Sequence, residues 1–332
     1  MHRGNGFTQT LAMAAALAVV SAAPAAAQAR IQLAILLDTS NSMDGLIDQA
    51  KSQLWKVVNE LARARKGAVH PALEVALYEY GNDGLSAAEG YIRMVSPLTT
   101  DLDRVSEGLF SLTTNGGDEY CGMVIDRAVK DLAWSPAPDA LKVIYIAGNE
   151  PFTQGSLSYI VSDARAAKRG IMVNTIFCGP SDEGAATGWK DGALRADGRY
   201  MSINQDEHVA EAATPFDQQI IDLGQQLNAT YVAYGAAGAP AKERQEAQDA
   251  NAASMGAPTS VQRSVAKAQA AYVNSGWDLV DAVSNGAVSI ATLKPEDLPA
   301  DMRALSVAQR EARVKELAAR RVSLQAQIAA AN

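Results

Sequence analysis

The chain holds only two cysteines and three histidines in 332 residues. His2, His70 and His208 are not paired in sequence with any nucleophile motif, which leaves little sign of Ser-His or Cys-His catalysis. There is no G-x-S-x-G, no Walker loop and no H-E-x-x-H. The signatures of an esterase elbow, a phosphate-cradling loop and a helical zinc protease are therefore missing. Basic charge is also short. Lys and Arg number 29 against 37 Asp and Glu, a net charge of −8. An acidic chain of this kind is a poor partner for nucleic acid or for an anionic membrane surface. Beyond the N-terminus no stretch is long and apolar enough to span a bilayer.

What is present begins with a targeting pattern. Arg3 precedes an apolar run over residues 11–20, too short to cross a membrane, and Ala25-Ala26-Ala27 offers a small-x-small cleavage site before Gln28. Residues 1–27 read as a secretory signal peptide, with an N-terminal membrane anchor as the alternative. No Cys follows the apolar run, which speaks against a lipid anchor. Removal of the segment takes one charge with it, Arg3, and leaves −9. The expected location is periplasmic or secreted, without stable membrane insertion after cleavage.

The remaining length suits one large α/β domain plus an extension, and the 48% hydrophobic content supports a sizeable core. Residues 31–37 form a near-continuous apolar run, the pattern of a strand covered on both faces. Asp38, Ser40 and Ser42 follow at D-x-S-x-S spacing where the strand ends, and an amphipathic helix is expected over 43–64. Ligand sites of open α/β sheets lie at the carboxyl ends of strands. One carboxylate and two hydroxyls there make a hard-oxygen site suited to Mg²⁺ or a similar divalent cation. The plainer reading is helix capping, since Ser before a helix is ordinary N-cap chemistry.

The D-T-S-N-S segment in this setting resembles the metal-ion-dependent adhesion site of von Willebrand factor type A domains. The resemblance runs from about residue 31 to about residue 235. Trp55-Lys56-Val57-Val58-Asn59-Glu60-Leu61, Gly116-Gly117-Asp118-Glu119, Gly148-Asn149-Glu150-Pro151 and Thr214-Pro215-Phe216-Asp217 resemble a bacterial exported subgroup. The fold it implies is α/β: a doubly wound, Rossmann-like, mostly parallel sheet with one antiparallel edge strand. It also implies a protein-binding module without a chemical step, in which a bound cation keeps one position open for an acidic residue of a protein partner.

Two positions depart from the implied pattern. Glu119 stands where a Thr is expected in the second loop, and Asn149 stands where an Asp is expected in the third. Asp38 and Glu119 together restore two carboxylates, so Asp38, Ser40, Ser42, Glu119 and Asn149 remain a candidate metal set. Asp118 stands behind them as a supporting group or a helix cap. The alternative is a vestigial, metal-free site in a scaffold protein; a metal-assisted hydrolase is the third reading. The D-x-D opening of haloacid-dehalogenase phosphatases needs a carboxylate at the Ser40 position, and none is there.

Along the chain, strands are expected at 73–80, 91–95, 141–147, 171–177 and 200–203. Helices are expected at 101–112, 122–133, 158–169 and 216–227, with a Gly- and Asp-rich loop over 178–198. In an oxidising compartment the two cysteines invite a disulfide. In the fold that the resemblance implies, both lie at one end of the sheet. Two buried free thiols are the alternative. Residues 28–235 are taken as the α/β domain and 236–332 as a helical extension, rich in Ala, Gln, Glu, Lys and Arg. Trp277 in the extension must be buried somewhere.

Overall fold

The computed structural model describes residues 29–63, 71–204 and 214–332. The signal-peptide reading, His2, His70 and His208 fall outside the described residues. The α/β part runs β1 (Arg30–Asp38), α1 (Asp44–Ala62), β2 (Ala72–Tyr80), β3 (Ile92–Thr99), α2 (Leu102–Phe110), α3 (Cys121–Asp131), β4 (Leu141–Gly148), α4 (Tyr159–Lys168), β5 (Met172–Cys178), α5 (Ser181–Ala186), α6 (Trp189–Arg195), β6 (Tyr200–Ile203) and α7 (Asp217–Asn228). The later part contains α8 (Gly235–Ser254), α9 (Ala257–Ala268), α10 (Leu279–Ser284), α11 (Ala300–Arg303) and α12 (Val307–Ala331).

The six strands lie in the order β3-β2-β1-β4-β5-β6. All neighbours are parallel except β2 and β3, which pair antiparallel at one edge. This is the expected fold class. β1 sits at the centre, with Asp38 opposite Tyr80 and Leu37 opposite Ala147. Because successive strand residues face opposite ways, β1 feeds two cores. Leu33 and Leu37 join Leu46, Ile47, Leu54 and Val58 of α1 and Val105 and Leu109 of α2. Ala34 and Leu36 join Val124, Ile125 and Ala128 of α3 and Ala166 of α4 on the other face.

Two expectations are corrected here. Cys121 and Cys178 are both free and buried. Cys121 belongs to the α3 side of the sheet and Cys178 to the α1 side, so the sheet itself separates the two thiols. Residues 178–198 are not a loop: they form α5 and α6. Trp189 anchors them, fully buried with its ring 4.7 Å from Phe152 and 5.8 Å from Phe177. Glycines in this stretch serve close packing, and a Cβ at Gly192 would meet Phe152 Cε1 at 2.4 Å. On α1, Val57 faces outward and Asn59 is buried, where Asn59 Nδ2 donates to the Gln262 carbonyl at 2.9 Å. The covering element is α9.

Residues from 236 onward share the domain's core. Ala241, Val261, Val265, Leu324 and Ile328 are continuous with the α1 face of the sheet. Trp277 is buried and stacks on Tyr231 at 5.8 Å. A smaller core of Leu279, Val280, Leu298, Met302, Val314 and Leu317 closes the far side.

Buried charge locks this junction. The Arg263 guanidinium lies 4.3 Å over the Trp55 ring of α1 and pairs with Asp103 of α2 and with Asp249 of α8, the latter at 2.8 Å. Lys267 Nζ donates to Asp249 at 2.6 Å and to Asn228 Oδ1 at 2.7 Å. Arg321 of α12 pairs with Asp278 at 2.7 Å and donates to the Thr230 carbonyl at 2.6 Å.

Candidate functional site

The chain order of the strands reverses direction between β1 and β4. In open sheets the crevice outside the carboxyl ends of strands at that switch is where ligands bind. Three loops converge there: residues 38–43 after β1, residues 113–120 before α3, and residues 148–152 after β4.

Asp38 is the last residue of β1 and is fully buried. Its Oδ1 accepts from the Ser40 backbone N–H at 2.8 Å, which curls the chain back over the strand end. Thr39 holds the turn in place. Its N–H donates to the Tyr80 carbonyl at 2.8 Å, and its carbonyl accepts from the Asn115 N–H of the second loop at 3.0 Å. Ser40 Oγ lies 3.3 Å from Ser42 Oγ, and Asn149 Nδ2 donates to Ser42 Oγ at 3.1 Å. Neither serine caps the helix. Ser40 precedes the short turn Asn41–Met43 with no side-chain cap bond, and Met43 precedes α1 in the same way.

Glu119 is buried beside this turn. Its backbone N–H donates to Gln154 Oε1 at 2.6 Å, so the third loop's continuation fixes the second loop. Asp118 is exposed. It accepts from the Tyr120 hydroxyl at 3.0 Å and does not cap α3, whose preceding residue Tyr120 makes no side-chain cap bond. The five candidate metal residues are thus brought together, and Asp118 stands beside them.

Sequence reasoning passed over the glycine walls. Gly81 follows β2 with φ +81°; a Cβ there would meet Glu119 Cγ at 2.8 Å and Asp38 Oδ1 at 2.9 Å. A Cβ at Gly148 would meet Tyr80 Oη at 2.5 Å and Asp38 Oδ2 at 3.0 Å. The only signal was turn chemistry at Gly81-Asn82-Asp83-Gly84. Tyr80, which donates to the Ala147 carbonyl at 2.9 Å, and Glu150 were also missed.

The cluster is rich in acceptors and short of donors. Asp38 Oδ2 and Asn149 Oδ1 are buried with no hydrogen-bond partner. Burial, then the negative charge of Glu119 and Glu150, push the Asp38 carboxyl up to about 8 against the opposing Ser40 N–H. Burial raises Glu119 to about 7, with Glu150 and Asp118 adding to it and Ser40 opposing. Burial likewise raises the Cys121 thiol, and it pushes Cys178 up to about 12.

No family model matches the chain, and no curated protein matches it. Solved structures do align. The conserved hypothetical protein BatB from Bacteroides thetaiotaomicron is 17% identical over 52% of this chain and 90% of its own, with a TM-score of 0.40. The SpRpn10 VWA domain is 19% identical over 54% and 91%, also at 0.40. Proximal thread matrix protein 1 from the mussel byssus, described with a zinc-occupied MIDAS motif, is 13% identical over 54% and 43%, at 0.38. Identities this low leave function to the residues of the site itself. Its sheet order, with one antiparallel edge strand, is that of a doubly wound, Rossmann-like α/β fold and is consistent with a von Willebrand type A fold.

Proposed function

We propose that the protein is an exported binding module whose type A site holds a divalent cation, Mg²⁺ or a similar hard ion, and whose loop face recognises a protein partner. The observation that carries this reading is the pair of buried acceptors without a donor, Asp38 Oδ2 and Asn149 Oδ1. A buried carboxylate oxygen left in this state is costly unless a proton or a cation meets it. Asp38, Ser40, Ser42, Glu119 and Asn149 would hold the ion. All five offer oxygen, the donor chemistry of Mg²⁺. The ion would neutralise the two carboxylates and tie three loops into one surface. Such a surface binds without a chemical step, so we propose recognition rather than catalysis. Export rests on the sequence of residues 1–27; among the described residues no helix is long and apolar enough to cross a membrane.

Thermal unfolding of the intact protein tests the metal. A ligand of the folded state raises stability with its concentration. Mg²⁺ or Mn²⁺ added after chelator should raise the melting temperature of the wild type and leave Asp38→Ala unmoved. A wild type indifferent to both ions removes the cation from the reading.

A second reading has its own support. The Ser40, Ser42 and Asn149 contacts already link two of the loops. The site would then be inert, with a proton on Asp38, and the helical region 236–332 would make the partner contact. Partner binding that survives chelator and Asp38→Ala would favour it.

A further inference from the structure

Glu119 gives the site a chemistry of its own. Its side chain is buried and shares with Asp38 the space left by the missing Gly81 side chain, where a Cβ would meet Glu119 Cγ at 2.8 Å and Asp38 Oδ1 at 2.9 Å. Its position is held by the Gln154 side chain on its backbone N–H and by α3, which begins two residues later. Two donors nearby are engaged: the Ser40 N–H serves Asp38 Oδ1 and Asn149 Nδ2 serves Ser42, while Asp38 Oδ2 has no partner.

Resting on the cation reading above, we propose that Glu119 is a metal ligand supplied by the chain itself, and that it makes the loaded site reject an incoming carboxylate. The reason is charge at the ligand position itself, because Glu119 puts a carboxylate where the implied pattern has a neutral hydroxyl. Asp38 and Glu119 together cancel a divalent ion. Glu150 and Asp118, close enough to act on Glu119, then leave the surroundings negative. The ion is the largest local charge in such a site, and the sign that remains decides what approaches. With a neutral hydroxyl at position 119 the site would keep one positive charge and attract an acid. With Glu119 it keeps none. The partner group facing the loops is therefore neutral or basic, and the cation acts as a pin between loops rather than as the point of capture.

The test is Mn²⁺ binding to the intact protein by calorimetry, with and without acetate as the carboxylate probe. Circular dichroism checks that each variant is folded. The wild type should bind Mn²⁺ with an affinity that acetate leaves unchanged. Glu119→Gln, which keeps the shape and removes the charge, should weaken Mn²⁺ by about tenfold or more, a difference of about 1.4 kcal/mol. Glu119→Thr should weaken it as well and make binding acetate-dependent, with acetate restoring affinity. Two outcomes would overturn the proposal while leaving the cation in place. One is an unchanged affinity in Glu119→Gln beside abolished binding in Asp38→Asn. The other is a wild type whose Mn²⁺ affinity rises with acetate. No Mn²⁺ binding by the wild type would sink both this proposal and the cation reading.

Discussion

Two buried acidic clusters in this protein meet opposite fates. At the junction between the sheet domain and the later helices, Asp249 is matched with bases: burial works against its charge, but Lys267 and Arg263 pull it down to about 2. At the loop face, burial pushes Asp38 up to about 8, and the acids Glu119 and Glu150 add to the rise. Burial alone does not decide the state of a carboxylate; the sign of its neighbours does. The first cluster is complete within the chain and reads as structure. The second is incomplete and reads as a site.

The largest effect is expected at Arg263. Replacing it with Ala leaves Asp103 without its counter-ion in the interior and Asp249 with Lys267 alone, and removing one partner of a buried pair costs about 3–5 kcal/mol. Urea unfolding of Arg263→Ala should show a loss of that size. A loss below about 1 kcal/mol, the scale of an exposed pair, would mean that the junction is solvated.

A pH series sharpens the contrast. Asp38 in the folded state binds its proton up to about pH 8, while the unfolded chain releases it near 4. Between those limits the folded state holds the extra proton, so stability falls as pH rises. For Asp38 alone the slope is about 1.4 kcal/mol per pH unit at most. Asp163, buried without a partner and raised to about 8, adds to the trend in the same direction. Asp249 contributes oppositely: its stabilisation is lost as pH falls from near 4 through about 2. In chelator, Asp38→Asn should flatten the decline between pH 5 and 8 without abolishing it. An unchanged slope would show that Asp38 is already paired.

The smallest effect is expected at the cysteines. With the sheet between them, a reductant should leave the melting temperature unmoved, and both thiols should react with a thiol reagent only once the protein unfolds. A shift on reduction would contradict the free, buried thiols.

Legibility in the sequence followed the range of the interactions. β1 and the Asp38-Ser40-Ser42 turn were readable because strand, turn and helix are written in consecutive residues. Glu119 and Asn149 were reachable only through the family resemblance, since loops far apart in sequence must meet. The cysteine faces were not readable, because a position at the end of a strand says nothing about which side its Cβ takes until the register is known. Residues 178–198 misled because glycines that permit close packing around Trp189 look like glycines that permit a loop. The same limit hid Arg263 and Lys267. A Lys- and Arg-bearing helix reads as solvent-facing, and their partner acids lie on α2 and α8.

The junction also bears on where this module can be cut. A gene fragment ending at residue 235 would carry the sheet, all three loops and every candidate ligand. It would also carry Trp55 without its Arg263 cover and Asp103 without its counter-ion. The loop face and the groups that pack beneath it are thus encoded at opposite ends of the reading frame. Grafting the loop face into a chimera means transplanting residues 236–332 along with it.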